Sequence, residues 1–450
     1  FLFFFFYASH FTVNALFFND NTMHKIYIDS GSFNLNYQIP QIVLKRIIST
    51  LLFLAASAFL WAQEPATYLS PWKQGYMDIH HIATGQGDCT FIVCPDGTTF
   101  LIDAGDNGLP EGSKHWFRRV PDDSEPTGEW LCRYIRHFSP DSSKIDYALL
   151  THFHADHMGS LKGAVPGEHG YLRSGITYVG DEIPFGTLVD RDWPFYNFPS
   201  RENILRESPL FDEYRKFIDY QRGAGMDMQK FTVGVNDQFV LKHAPRRYRR
   251  SFEVRNLVGN ARVWTGKGQG TAVMYQGDST LFDENQPSCG IRIRYGRFTY
   301  YNCGDLSGMN FWRYKCQERD FETPVSEVCG RITVMKCDHH AATDVVNENL
   351  MRAASPEAFI VLGGHREHPY KPTMERMTNR SIYPDERDYY ITTDCSKEDL
   401  GPELWSYFKP AGHIVVRVSP GGKKYRIYSL DVYSGDYRIL YASPLKTIRQ

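Results

Sequence analysis

None of the nine cysteines (Cys89, Cys94, Cys132, Cys289, Cys303, Cys316, Cys329, Cys337 and Cys395) is spaced from another as a CxxC pair. A zinc ribbon and a thioredoxin-type redox motif are therefore excluded. Their scatter reads as packed core cysteines rather than a disulfide framework, although an exported chain could oxidise some of them. Excess positive charge is also lacking. Fifty Lys and Arg stand against 52 Asp and Glu, for a net charge of −2, so there is no strong signature of a nucleic-acid-binding surface. No repeat and no low-complexity linker interrupts the chain. Its main apolar run, Ile47 to Leu60, is too short to serve as a transmembrane span. What is present is 42% hydrophobic and 23% charged residues, an ordinary globular balance with ample material for a large core. Aromatics reach 15%, which suits either an aromatic-rich core or broad clefts.

The first 62 residues stand apart. "LKRIISTLLFLAASAFLWA" (44–62) has a positive start at Lys45 and Arg46, an apolar stretch, and a small residue, Ala62, in the last position. This is the pattern of a signal peptide, and it implies a mature chain exported to the periplasm or outside the cell, with no membrane span of its own. Residues 1–43 begin "FLFFFFYASHF" without an initiating Met. They are expected to be translated upstream sequence, with Leu44 as the start. From about residue 70 to 450 the chain reads as one domain.

Within that domain, "YMDIHHIATGQGDCTFIVCPDGTTFLIDAGD" (76–106) reads as three strands with a tight turn at "CPDG". "GEWLCRYIRHF" is an amphipathic helix. Residues 165–235, rich in Pro, Gly and aromatics, read as an insertion or lid. Strands return in "QFVLKHAP", "RRSFEVRNLV", "TAVMYQG" and "CGIRIRYGRFTYYNCGDLSG". "ENLMRAASPEAFIVLGG" reads as helix then strand, and "HIVVRVSPGGKKYRIYSLDVYSG" as two strands. Two β-rich halves separated by helices suggest stacked sheets with helices outside, an α/β fold. "RRYRR" (246–250) reads as a solvated strand face, and His80 and His81 read as structural.

"IDYALLTHFHADHMGSL" (145–161) is the stretch that carries chemistry. A buried-looking strand, Ile145 to Leu150, leads directly into His152, His154, Asp156 and His157. Alternation sends His152 and His154 to one side, and the turn brings Asp156 and His157 back to the same point. Four ligands in six residues can serve two adjacent metals. Imidazole suits zinc, and the carboxylate also tolerates manganese.

"THFHADH" matches the HxHxDH signature of the metallo-β-lactamase superfamily. The chain resembles its ComEC-like competence branch in "GQGD" and "LIDAGD", in Asn285 and Ser288 of "ENQPSC", in "YNCGDLSG", in "VMKCDHHAATD" and in "VLGGHREHPYKP". The series spans roughly residues 76–380, without the membrane channel segments of that branch. The bacterial surface phosphorylcholine esterases are similar stand-alone relatives. The resemblance implies a metallo-β-lactamase-like αββα four-layer sandwich. It implies two divalent ions, Zn2+ first and Mn2+ as an alternative. His152 and His154 would bind one, Asp156 and His157 the other, and Asp305 would bridge both. His339 or His340 would add a ligand, and His368 would lie at the rim as ligand or substrate contact. For a further histidine between HxHxDH and Asp305 the candidates are His169, in a loop, and His243, at a strand end. Asp88 and Asp103 are expected to orient ligands. "HHAA" departs from HHG, and Ala tolerates positive φ less well than Gly.

The resemblance implies a binuclear metallo-hydrolase with a metal-bridging hydroxide formed near neutral pH. Asp156, Asp305, His340 and His368 would be its catalytic residues. Asp305 would position the nucleophile, and His340 or His368 would give a proton. A bridging Asp without Cys favours a phosphodiester substrate, small or polymeric. The alternatives are a lactone or thioester hydrolase, and a catalytically silent metal-binding module.

Overall fold

The computed structural model describes residues 3–5, 13–19, 22–28, 67–108, 117–310 and 318–449. The chain divides into two compact units, Phe1–Ala66 and Thr67–Gln450. In the first, strands Phe3–Phe5, Val13–Asn19 and Thr22–Ile28 pair antiparallel. The expected signal peptide at 44–62 lies outside the described residues. Among the described residues no helix is long and apolar enough to cross a membrane.

The second unit holds two large sheets. The first has ten strands. Nine run in order from the edge strand Asp227–Lys230 through Phe185–Asp190, Ile145–Leu150, Thr99–Ile102, Thr90–Val93, Met77–His81, His413–Val418 and Lys424–Leu430 to Ile439–Ala442, and the tenth, Lys446–Thr447, also pairs with Lys424–Leu430. The second has eight, from Thr271–Val273 through Arg262–Trp264, Phe252–Gly259, Gly290–Tyr295, Phe298–Asn302, Val334–Lys336 and Ala358–Val361 to Asp388–Ile391.

Strand alternation builds the layers. Phe100, Ile102, Tyr147 and Leu149 meet Ile291, Ile293, Tyr300 and Val334 in the core between the sheets. Their neighbours Leu101, Ala148 and Leu150 face the other way, onto Leu131, Ile135, Val179 and Phe217. Those residues sit on helices Thr127–Phe138, Gly175–Glu182 and Phe211–Gly223. On the second sheet Tyr301, Met335 and Phe359 pack outward against Val325, Leu350 and Met374. The order is helices, sheet, sheet, helices. Ile145–Leu150 is buried on both faces between parallel neighbours, which is why it reads as a nearly unbroken apolar run. The described cysteines are free; seven are buried and Cys395 is half-buried.

Three expectations change. The segment 165–235, read as an insertion or lid, supplies two parallel strands to the first sheet and two helices to its outer layer. "QFVLKHAP" is not a strand. Phe239 and Leu241 turn into the core, but the backbone N–H groups of Val240, Lys242 and His243 donate to Tyr147 Oη, Thr98 Oγ1 and Asp96 Oδ2 rather than to a ladder. His243 is therefore not at a strand end. "RRYRR" overlaps a short helix, Pro245–Tyr248, whose Tyr248 is buried.

Candidate metal centre

Every candidate ligand follows a strand with a parallel neighbour. Asp103 follows Thr99–Ile102, His152 follows Ile145–Leu150, Asp305 follows Phe298–Asn302, and His339 and His340 follow Val334–Lys336. The carboxyl ends of strands from both sheets thus converge, the usual ligand position in open α/β sheets.

The hydrogen bonds fix which ring atoms face the centre. Asp103 accepts from His157 Nδ1 at 2.8 Å, from Thr151 Oγ1 at 2.7 Å and from Thr151 N at 2.7 Å. With its hydroxyl proton committed to Asp103, Thr151 Oγ1 accepts from His152 Nδ1 at 3.2 Å. His340 Nδ1 donates to the Leu362 carbonyl at 3.0 Å. Nε2 is therefore the ring atom that His152, His157 and His340 turn toward the centre. His157 Nε2 faces Asp305 Oδ1 at 3.1 Å, and His340 Nε2 faces Asp156 Oδ2 and Asp305 Oδ2, each at 3.3 Å. His157 Nε2, His340 Nε2 and Asp305 Oδ1 are buried without a hydrogen-bond partner. His152 Nε2 and His154 Nδ1 face one another at 3.2 Å. Ring nitrogens and carboxylates held this close share protons in the metal-free protein and become the donor set of a divalent ion once those protons leave, so these residues fit the divalent ions that the sequence implies.

Ligand atoms of Asp88, His157, Asp305 and His340 lie within 4.8 Å of one another. Asp88 belongs to this group by proximity but serves as a support. Its Oδ2 binds Lys336 Nζ at 2.6 Å. Its Oδ1 lies 2.8 Å from His340 Nδ1, yet that N–H is aimed at Leu362, which leaves Oδ1 without a directed bond.

His339 and His340 adopt left-handed backbone, φ 42° and 53°, and Ala341, where HHG has glycine, follows at 59°. Strain of this kind is characteristic of functional turns. It separates the two rings. His340 enters the centre, whereas His339 sits at the rim, with Nδ1 on Asp344 at 3.0 Å and Nε2 on the Asn285 amide at 3.2 Å. His339 Nε2 is 4.0 Å from Asp305 Oδ2. Ser288 Oγ accepts from Asp305 N at 3.3 Å, so both residues of the NxxS element reach the site. His368 stacks on His340, with ring centroids 4.4 Å apart and 18° between planes. The other two histidine candidates lie elsewhere. His169 stacks on Tyr220, and His243 approaches Asp146.

Sequence reasoning missed Lys336, which is fully buried in the last position of an apolar strand. That charge in "VMKCDHH" was its signal. It also missed Glu207, whose carboxylate lies 3.8 Å from His154 Nε2. A cavity of about 770 Å³ is lined by Arg191, Lys230, Asn260 and Phe282 among others and by none of the expected ligands. The side-chain chemistry, not cavity size, locates the site.

Protonation follows from the same geometry. Burial opposes a charged ring at His157, but Asp305 and Asp103 outweigh it and raise the ring to about 10. At His154 burial is outweighed by Glu207 and Asp156, raising it to about 9. Burial holds His152 well below its ordinary value. In the metal-free protein at pH 7, His154 and His157 therefore carry protons that a metal must displace. Zinc uptake at pH 7 is expected to release about two protons or more, and affinity to weaken as pH falls. Calorimetric titration in two buffers of different ionisation enthalpy measures this. Uptake without proton release would contradict the ligand assignment.

Residues 82–166 match the family model described as Metallo-beta-lactamase superfamily. No curated protein matches the chain. Three solved structures are similar at low identity. The human short-form tRNase Z is 11% identical over 63% of this chain and 91% of its own, with a TM-score of 0.29. Hydrolase AbOPH of the beta lactamase superfamily is 9% identical over 59% and 86%, with a TM-score of 0.31. A long-form RNase Z from yeast is 10% identical over 85% and 50%, with a TM-score of 0.32. Likeness this distant carries no argument about function. The layer order and the family match together define a metallo-β-lactamase-like αββα four-layer sandwich.

Proposed function

We propose that this protein is a two-metal hydrolase of the metallo-β-lactamase superfamily, in an exported ComEC-like branch, acting on a phosphodiester. The observation that carries the reading is the convergence of buried ring nitrogens and carboxylate oxygens on one point, with His157 Nε2 and His340 Nε2 on Asp305 and His152 Nε2 on His154 Nδ1. His152 and His154 would hold one ion, with His339 beside them at the rim, its two ring nitrogens engaged by Asp344 and Asn285. Asp156, His157 and His340 would hold the other, and Asp305 would lie between. His339 then stands where neither His169 nor His243 reaches. When bound, such a pair of ions lowers the pKa of water toward neutrality and polarises the scissile oxygen.

The chain's own residues prepare that chemistry. Asp103 and Thr151 lock the His157 and His152 rings. The centre is buried at His152, His157, Asp305 and His340 but half-open at His154, Asp156 and His339, so substrate would enter from that side. His368, kept neutral by burial and by the neighbouring histidines, supports the His340 ring by stacking rather than donating a proton. A carboxylate bridge with no thiol in the cluster supports a phosphodiester over a carbonyl substrate.

The test is hydrolysis of bis(p-nitrophenyl) phosphate by the full chain reconstituted separately with zinc and manganese, with bound metal measured in parallel. Turnover is expected with two ions per chain. A protein holding two ions that cleaves lactones or thioesters instead would overturn the substrate class. A protein holding none would overturn the reading altogether.

A further inference from the structure

A second charged assembly lies behind the first metal position. Arg191, just past strand Phe185–Asp190, and Glu284, in the loop before strand Gly290–Tyr295, are 0% and 1% exposed. They pair fork to fork, Nε to Oε1 at 2.6 Å and Nη2 to Oε2 at 2.7 Å. Arg191 Nη1 also donates to the Phe198 carbonyl at 2.7 Å and to Asn260 Oδ1 at 3.3 Å. Asn260 Nδ2 returns a bond to the Arg191 carbonyl at 2.7 Å. Four of the five guanidinium N–H groups are thus taken by protein.

Both members grip one residue. Glu284 Oε1 accepts from the Phe153 backbone N–H at 3.0 Å, and the Arg191 guanidinium lies 4.4 Å above the Phe153 ring. Phe153 is the residue between His152 and His154. A buried ion pair adds little net stability over apolar side chains of the same size, so stability alone does not account for it. Its geometry does, because the pair holds both backbone and ring of the residue that sets how far apart the two imidazoles stand.

We propose that Arg191 and Glu284 are positioning residues that fix the His152–His154 pair through Phe153 and thereby set the affinity of the first metal position. The inference rests on the two-metal reading above and deepens it. Asp156, His157, Asp305 and His340 are not held by this clamp, so the second position should be independent of it.

The test compares two double variants of the full chain. R191M/E284Q removes both charges but keeps a side-chain oxygen for the Phe153 N–H. R191M/E284M removes the oxygen as well. Both lose the Arg191 bonds to Phe198 and Asn260, so their difference isolates the Phe153 bond. Zinc stoichiometry and stepwise affinity are measured by chelator competition, and the Co2+-loaded absorption spectrum reports ligand geometry. R191M/E284M is expected to bind its first-position ion about 10- to 100-fold more weakly, the usual effect of losing a group that supports a ligand, with the second ion unchanged. R191M/E284Q is expected to retain near wild-type affinity for both ions. Should R191M/E284M not fold, R191M/E284L repeats the measurement with a branched apolar side chain. Two zinc ions at wild-type affinity in both doubles, or equal loss in both, overturns the clamp alone. Wild type holding fewer than two ions overturns the parent reading, and the clamp with it.

Discussion

Asp305→Ala is expected to lower turnover of a phosphodiester about a thousandfold or more, since a bridging ligand contributes several kcal/mol of charge stabilisation and each ~1.4 kcal/mol is a factor of ten. Asp305 faces both His157 and His340, one oxygen to each. Burial opposes its charge, but those two rings outweigh burial and hold the carboxyl well below its usual range. It is therefore ionised at any working pH. Removing it leaves two histidines with no shared anion, and the two metal positions lose their common ligand. The fold should survive. Lys336 keeps Asp88 at 2.6 Å and the Gly304 carbonyl at 2.8 Å. Steady-state rates, metal analysis and a thermal melt on the same preparation check this. An alanine variant that holds two ions and turns over within tenfold of wild type would remove Asp305 from the centre.

The convergence of the candidate ligands was legible because it follows simple rules of chain geometry. A strand that is buried on both faces ends at Leu150, and the next seven residues carry four candidate ligands, three His and one Asp, that the turn returns to one point. Asp305 and the His339–His340 pair follow strand ends in the same way. Which histidine enters the centre was not legible. Alternation separates neighbours on a strand, but here three successive residues take left-handed backbone, and a sequence does not announce such a turn where Ala341 replaces glycine. The supposed lid was misread because Pro194 and Pro199 crowd one short connection. That connection joins strand Phe185–Asp190 to the outer helices. "QFVLKHAP" has a strand's alternation, yet its N–H groups go to side chains, and pattern alone does not reveal the partner. Arg191 and Glu284 are 93 residues apart, so nothing local marks them as a pair.

Lys336→Met should cost about 3–5 kcal/mol of stability in the metal-free protein at pH 7, the range for removing one partner of a buried ion pair. Lys336 Nζ meets Asp88 Oδ2 at 2.6 Å, Gly304 O at 2.8 Å and Asp305 Oδ1 at 3.5 Å. It lies within ion-pair reach of two buried carboxylates. Methionine fills the same volume, so the loss measures charge rather than packing. The pH dependence gives the sign. Burial pushes Asp88 upward, but His340 and Lys336 outweigh burial and depress it below the ordinary carboxylate value. In wild type, Asp88 thus contributes stability that is present above its unfolded value and lost only as pH falls through the lower folded one. Without Lys336 that depression shrinks, and Asp88 takes up a proton at higher pH. The variant's deficit should therefore be largest near neutrality and narrow as pH is lowered through the ordinary carboxylate range. The double variant Lys336→Met with Asp88→Asn removes the orphaned charge and should recover much of the deficit at pH 7. Denaturant unfolding in the presence of chelator, at pH 7 and pH 4.5, separates these cases. A deficit that stays constant with pH, or a double variant no better than the single, would mean that Lys336 acts by packing and not by neutralising the anionic side of the metal centre.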